Sequence, residues 1–153
     1  MIKKLTFSLI ILSVYFPAKS QENFTSGGVI RPLQENMDIK YYDIFLDIDI
    51  KNKFFRGSTT ILFDLTKPTR EIELHLVNQF KVKGVYTSGG RELKFKHNDH
   101  LVSITDKQDF EGLTSVQIEY EGNPPEAINA PWVGGVTWAK DPAGYHWIGF
   151  LPK

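Results

Sequence analysis

Cysteine is absent from this 153-residue chain. No disulfide bond can stabilise the fold, no lipid can be attached to a cysteine, and no thiol can act as a nucleophile. The chain must therefore be stabilised by its hydrophobic core.

Long hydrophobic runs are also missing beyond the first residues. Lys3 and Lys4 precede a mostly apolar run at residues 5–16, and the small residues Ala18 and Ser20 follow it. This pattern predicts a secretory signal peptide over residues 1–20. The run is shorter than the roughly 20 residues that a membrane span needs, so no span is predicted. We expect an exported protein, either periplasmic or extracellular.

The chain also has no excess of positive charge. The whole chain has 18 basic and 18 acidic residues, and residues 21–153 retain 15 basic and 18 acidic ones, a formal charge of −3. Proteins that bind nucleic acid usually carry a basic face that neutralises phosphates, so nucleic acid is not an expected partner. The 133 residues after the signal suit one domain, with residues 21–38 as an extended leader and residues 39–153 as the folded part.

No stretch has the spacing of a long amphipathic helix, whereas period-two alternation of apolar residues recurs about every ten residues. The prediction is an all-β domain with little or no helix, either an antiparallel sandwich or a strongly curved sheet. Residues 67–70 interrupt the pattern. The expected short strands cover residues 42–50, 58–65, 71–76, 80–86, 92–96, 101–105 and 115–120. The inward-facing residues expected in 58–65 are Thr59, Ile61, Phe63 and Leu65, and those in 115–120 are Val116, Ile118 and Tyr120.

The clearest strand signal lies at residues 42–50. Its apolar positions predict one core face, formed by Ile44, Leu46, Ile48 and Ile50. Its opposite face carries Asp43, Asp47 and Asp49, which could ligate a hard cation such as Ca²⁺. A solvated strand face explains the same alternation and is the favoured interpretation.

Catalytic motifs are missing as well. A zinc hydrolase needs three protein ligands, and the close histidine pair His97 and His100 lies in a polar connection without an obvious third. His75 falls on the polar face of a strand with Glu71 and Glu73, and His146 lies between two aromatic residues. No Gly-x-Ser-x-Gly motif and no phosphate-binding loop is present. We therefore predict no catalytic, cofactor-binding or metal-binding residue in this chain.

Residues 131–150, PWVGGVTWAKDPAGYHWIGF, contain all three tryptophans and predict a hairpin around Asp141-Pro142-Ala143-Gly144. The Gly134-Gly135 pair is consistent with a bulge, a bend or a close approach of another backbone or a ligand. The aromatic side chains could form a binding platform, or they could close one end of the core or pack on a neighbouring domain. We favour the packing role. The four aromatic residues concerned are Trp132, Trp138, Tyr145 and Trp147.

The order of these segments resembles the opening β-domain of the M1 (gluzincin) zinc aminopeptidases, in particular exported members of the Bacteroidetes type. The resemblance covers about residues 39–150. It rests on YYDIFLDID at 41–49, FRGSTTI at 55–61, IELH at 72–75, IEYEG at 118–122, PWVGGVTWAKD at 131–141 and WIG at 147–149.

The resemblance implies a saddle-shaped N-terminal domain that docks on a thermolysin-like catalytic domain and helps to form the substrate cleft. The family's His-Glu-x-x-His zinc motif, its Gly-x-Met-Glu-Asn loop and its catalytic tyrosine belong to that later domain, and none is in this sequence. The family's N-terminal Gln or Glu, which holds the substrate amine, lies just beyond the Trp-Ile-Gly match, where this chain has Leu151-Pro152-Lys153. Zinc and peptide substrate are thus expected only in a complete enzyme, and the missing catalytic domain is the expected partner. A truncated chain of this kind should be inactive alone.

Two other interpretations remain open on the sequence. The domain could work alone as a secreted binding module whose aromatic hairpin holds peptide or glycan. It could also be a gene fragment without a function of its own.

Overall fold

Antiparallel strands make up nearly all of the computed structural model, which describes residues 29–129 and 134–151. This confirms the predicted all-β class with little helix. The elements in chain order are α1 (Pro32–Glu35), β1 (Met37–Asp49), β2 (Phe54–His75), β3 (Phe80–Thr87), β4 (Lys94–Asn98), β5 (Leu101–Gly122), β6 (Gly135–Lys140) and β7 (His146–Leu151).

Strand β5 is the centre of the main sheet. β2 runs antiparallel along most of its length, and on its other side β3 pairs with its C-terminal part and β4 with its N-terminal part. Among the described residues, β1 pairs only with β2 and forms an edge, in the order β1-β2-β5-β3. β6 and β7 form a separate two-stranded sheet. Among the described residues, no helix is long and apolar enough to cross a membrane.

Two strands are longer than the sequence predicted. The expected strands 58–65 and 71–76 are both parts of β2, and 101–105 and 115–120 are both parts of β5. The polar break at 67–70 coincides with two register shifts between Leu65 and Glu71. At the first, three residues of β2 (66–68) lie opposite one of β5, and at the second, four residues of β5 (106–109) lie opposite one of β2. Because Pro68 sits in this irregular stretch, it removes no regular ladder hydrogen bond. The break is therefore a bulge within continuous strands.

The core joins residues from both halves of these long strands. The predicted inward face of β2 is confirmed for Ile61, Phe63 and Leu65, and that of β5 for Val116, Ile118 and Tyr120. Bulges bend strands, and here residues from before and after the bulge form one cluster. Its fully buried members are Phe63, Ile72, Val85, Val102, Ile104 and Val116.

The predicted core face of β1 is wrong in part. Ile44 is more than half exposed, Leu46 and Ile48 are only partly buried, and no residue of β1 is fully buried. The alternation is real, but β1 lies at the sheet edge, where the described part of the chain does not cover its apolar face.

The leader also differs from the prediction within its described residues. Instead of an extended chain to Asp38, it contains the short helix α1, and β1 already begins at Met37. Asn36 connects this segment to β2, because its side-chain oxygen accepts hydrogen bonds from the Lys67 amide at 2.8 Å and the Thr66 hydroxyl at 2.7 Å. The predicted signal peptide lies outside the described residues.

Glu73, predicted on a polar strand face, is buried. Arg31 donates to both of its carboxylate oxygens, from Nε at 2.6 Å and from the terminal guanidinium nitrogen at 3.2 Å. A buried carboxylate needs such a partner. The pair thus fastens the start of the described chain to the sheet.

A second ion pair ties the bulge of β5 to the β3–β4 connection. The two carboxylate oxygens of Asp106 accept hydrogen bonds from Arg91 at 2.9 and 2.5 Å, and one also accepts from the Lys107 amide at 2.6 Å. The hydrogen bond from Arg91 is the largest cause that lowers the pKa of Asp106 from 3.8 to about 2.

This lowered pKa predicts an acid-sensitive contribution to stability. A carboxyl with a depressed folded-state pKa stabilises the fold fully above its unfolded pKa, near 4, and the contribution disappears as the pH falls toward 2. We therefore expect the difference in unfolding free energy between the wild type and Asp106→Asn to shrink from pH 5 to pH 2. This difference can be measured by urea unfolding, followed by circular dichroism, at a series of pH values.

Asp109→Asn is the matched control for Asp106→Asn. Asp109 forms an ion pair with Arg70 in which both side chains are about half exposed or more, and such pairs contribute roughly 0–1 kcal/mol. We expect a small effect at every pH. A large and constant difference for Asp106→Asn across the range would contradict the role of its ionisation.

Candidate functional site

The sequence predicts a hairpin around Asp141-Pro142-Ala143-Gly144, and the structure confirms this hairpin, which β6 and β7 form. The amide of Gly144 donates to the Asp141 carbonyl at 2.9 Å, which closes the four-residue turn. Asp141 also accepts a hydrogen bond through Oδ1 from the Tyr145 amide at 2.8 Å. Gly144 has φ +89°, a conformation that glycine adopts without a steric penalty. The predicted turn residues therefore set the hairpin register, with Lys140 opposite His146.

The hairpin packs on the main sheet through an aromatic cluster. The rings of Trp138 and Phe150 lie 5.7 and 5.8 Å from that of Phe55, measured between ring centroids. Phe55 in turn lies 6.3 Å from Phe80, whose ring is 5.4 Å from that of Tyr120. These separations are typical of favourable aromatic pairs. Trp138 thus helps to close one end of the core, which is the packing role favoured on the sequence.

A close approach of two backbones fixes the base of the hairpin. Val136 donates to the Pro125 carbonyl at 2.9 Å and accepts from the Ala127 amide at 3.1 Å. Gly135 has φ +144°, and a Cβ there would lie 2.7 Å from the Ala127 nitrogen. Of the alternatives for the glycine pair, Gly135 therefore serves the close approach of another backbone, that of residues 125–127.

The four predicted aromatic residues do not form one platform. Trp138 faces Phe55, whereas Tyr145 and Trp147 are exposed, and Trp132 lies outside the described residues. Ala139 and Trp147 lie opposite each other on the hairpin face away from Trp138. The accessible aromatic surface is therefore smaller than the sequence suggested.

Two polar atoms of β6 lack a partner. Thr137 Oγ1 and Trp138 Nε1 are buried and have no hydrogen-bond partner in the part of the chain that the structure describes. Buried polar groups are normally paired, and leaving one unpaired costs about 1–3 kcal/mol. Because both atoms are buried, they are not accessible at the surface of the described residues.

The histidines do not come together as a ligand set. His97 bonds the Leu76 carbonyl through Nε2 at 2.9 Å, and His100 Nδ1 accepts from the Asn78 amide at 3.2 Å. His100 belongs to the tight turn between β4 and β5, while His75 and His146 are exposed on other elements. Each histidine of the pair thus forms a hydrogen bond with a backbone group of the segment that follows β2.

The acidic face of β1 is exposed, as the favoured interpretation required. Asp43 and Asp47 are exposed, and Asp49 accepts hydrogen bonds from the Asn52 amide and side chain in the following turn. Residues 29–129 and 134–151 contain no group of three or more His, Cys, Asp or Glu side chains that could hold a metal ion. The described residues therefore do not fit a zinc or calcium site.

Sequence patterns missed the surface that receives the hairpin. Phe55 fell in the connection between two predicted strands and Phe80 began another, and only the pairing of β2 and β3 with the same end of β5 brings them together. The one feature of the sequence that could have indicated this contact is the aromatic content of both the hairpin and these strand ends.

No protein-family model and no curated protein matches the sequence. Solved structures do share the fold. The chain is similar to an M1 zinc metallopeptidase from Deinococcus radiodurans, with a TM-score of 0.57 and 17% identity over 71% of this chain. A mutant of that enzyme bound to a Tyr-Ser-Ala substrate gives the same TM-score at 18% identity.

Yeast LTA4 hydrolase in complex with bestatin is similar as well, with a TM-score of 0.57, 12% identity and 74% of this chain covered. The chain spans 27% of the Deinococcus enzyme and 18% of the yeast enzyme. At these identities the likeness shows a shared fold with part of these larger enzymes.

Proposed function

We propose that residues 39–153 are the N-terminal β-domain of an exported M1-type zinc aminopeptidase, whose zinc-binding and catalytic residues lie outside this range. In this role the domain lies against a catalytic domain and helps to form the wall of the substrate cleft. The complete enzyme would remove N-terminal residues from peptides, and this chain alone would be inactive.

The proposal is supported by the agreement of two observations. The ordered segments in the sequence resemble the opening of M1 aminopeptidases, and the fold independently resembles part of two M1-related enzymes. The resemblance between sequences was based on local motifs, whereas the fold likeness depends on how distant strands pair. Their agreement supports the same family from two kinds of observation.

The hairpin surface is consistent with a neighbouring domain. Tyr145, Trp147 and Phe150 are exposed, and β7 pairs only with β6 among the described residues. Exposed aromatic side chains at a sheet edge are typical of surfaces that pack against another chain segment.

The first test is an activity assay. Purified protein with added Zn²⁺ should not hydrolyse aminoacyl reporter substrates, because no described cluster can hold the metal. Metal-dependent turnover that a chelator abolishes would overturn the proposal. The coding sequence after Lys153 tests it further, since a reading frame that encodes His-Glu-x-x-His is expected and its absence would count against an enzyme.

The exposure of Tyr145 and Trp147 favours one alternative, a stand-alone module that binds peptide or glycan. Titration of tryptophan fluorescence with short peptides and oligosaccharides separates the two functions. Saturable quenching that is lost in Trp147→Ala and retained in Trp138→Ala would support the module, because Trp147 is exposed whereas Trp138 packs against Phe55.

A further inference from the structure

Strand β1 exposes more large apolar surface than any other strand of the main sheet that the structure describes. Five of its side chains, each between 36% and 67% exposed, follow one another along the strand: Ile39, Tyr41, Tyr42, Ile44 and Phe45. Contiguous apolar patches on a folded surface usually mark an interaction site. This row is also on a sheet edge, where backbone N–H and C=O groups are available to another strand.

The apolar groups occupy both faces of β1. Tyr42 and Ile44 lie opposite Ile61 and Thr59 of β2, on the side of the core, whereas Phe45 lies opposite Ser58 on the outer side. A strand added beside β1 would therefore find an apolar neighbour on each face.

The core-side face is incompletely covered next to Tyr42. A cavity of about 230 Å³ lies there between the first part of β1 and the last part of β2. Its apolar lining is formed by Met37, Ile39, Tyr42, Ile61 and Leu74. Side chains from an added strand could enter this space and bury further apolar surface.

The charge of β1 selects the kind of strand that fits. The strand has four aspartates and one lysine, and Lys40 already pairs with Asp38. Asp43, Asp47 and Asp49 alternate along the outer face, where lysine or arginine on a neighbouring strand would be opposite them. A second copy of β1 would instead bring acidic rows together, which is unfavourable.

We propose that β1, from Ile39 to Asp49, is a docking edge for an extended segment of a partner polypeptide in which apolar and basic residues alternate. The segment adds as a strand, places its apolar residues beside Tyr42 and Ile44, and pairs its basic residues with Asp43 and Asp47. This inference is independent of the proposed enzyme role, because it depends on β1 alone.

The probe is a fluorescein-labelled, acetylated nonapeptide of alternating valine and lysine, titrated with the protein and followed by fluorescence anisotropy. We expect saturable binding that weakens as salt is raised, since the charge pairs are exposed. A peptide with the same composition in a non-alternating order should bind about tenfold more weakly. A peptide with every second amide N-methylated should lose binding, because it cannot complete the ladder.

Variants locate the site on β1. Ile44→Ser should raise the Kd about tenfold, whereas Leu113→Ser, at a similarly exposed position on β5, should leave it unchanged. The double variant Asp43→Lys/Asp47→Lys should reject the lysine peptide and bind a valine–glutamate peptide instead. Both positions are exposed, so circular dichroism should show an unchanged fold.

Three results would overturn the proposal. They are the absence of peptide binding, equal binding by the Leu113→Ser and Ile44→Ser variants, and binding that survives N-methylation. Sedimentation velocity provides a separate check, since a concentration-dependent dimer that Ile44→Ser abolishes, without peptide binding, would assign the edge to a second copy.

Discussion

Replacing Phe63 by alanine should lower the free energy of unfolding by about 3–5 kcal/mol, the range found when a buried aromatic side chain is removed from a core. Phe63 has no solvent exposure and is the largest of the fully buried side chains. It lies in the middle of the cluster that joins both halves of β2 and β5. Since domains are stable by only about 5–15 kcal/mol, this loss is a large fraction of the total.

Phe45→Ala provides the matched control for Phe63→Ala. Phe45 is on the neighbouring strand and is 67% exposed, so its removal leaves no cavity and should change the free energy of unfolding by less than about 0.5 kcal/mol. Urea unfolding followed by far-ultraviolet circular dichroism compares the two. Equal midpoints for the two variants would mean that the core is not centred on Phe63.

Local alternation in the sequence was sufficient to place most strands. It identified the inward faces of β2 and β5 correctly, because apolar residues recur at every second position, as Val116 and Ile118 do between polar neighbours. The hairpin turn was equally predictable, since Asp141, Pro142 and Gly144 each favour a particular backbone conformation. These features depend on residues that are close in the chain.

The features that the sequence did not reveal depend on distant residues. Alternation in β1 indicates an apolar face but not whether anything covers it, and Ile44 is exposed because β1 is an edge. The bulge that keeps β2 continuous past Pro68 exists only in relation to β5. Arg31 and Glu73 are 42 residues apart, so no local pattern could show that this glutamate is buried.

The candidate site, too, was only partly predictable from the sequence. The hairpin and its aromatic content were read from one segment, but the inward orientation of Trp138 follows from the position of Phe55, more than eighty residues earlier. The docking edge on β1 was described from the sequence as a core strand with a solvated acidic face. Only the sheet order turns that strand into a surface available to a partner.

A second large effect is expected at Gly57 of β2, which lies opposite Leu46 of β1. A Cβ at this position would lie 2.2 Å from the Phe45 carbonyl oxygen and 2.9 Å from Leu46 Cδ2, so the backbone of β1 would have to move. Gly57→Ala should therefore lower the free energy of unfolding by about 1–3 kcal/mol, the usual cost of overpacking. This loss should exceed the gain of about 0.4–1 kcal/mol that alanine brings by restricting the unfolded chain.

Gly89→Ala separates the steric effect of Gly57→Ala from the general effect of replacing glycine. A Cβ at Gly89 would meet only Thr87 Oγ1, at 3.9 Å, so this variant should be unchanged or slightly more stable. Hydrogen exchange adds a local readout, because a displaced β1 should exchange its amides faster in Gly57→Ala while β3 and β5 remain protected. Equal stability and equal exchange in the two variants would contradict the register that places Leu46 opposite Gly57. The same displacement would disturb the docking edge, so Gly57→Ala should also weaken binding of the valine–lysine peptide although it changes no residue of β1.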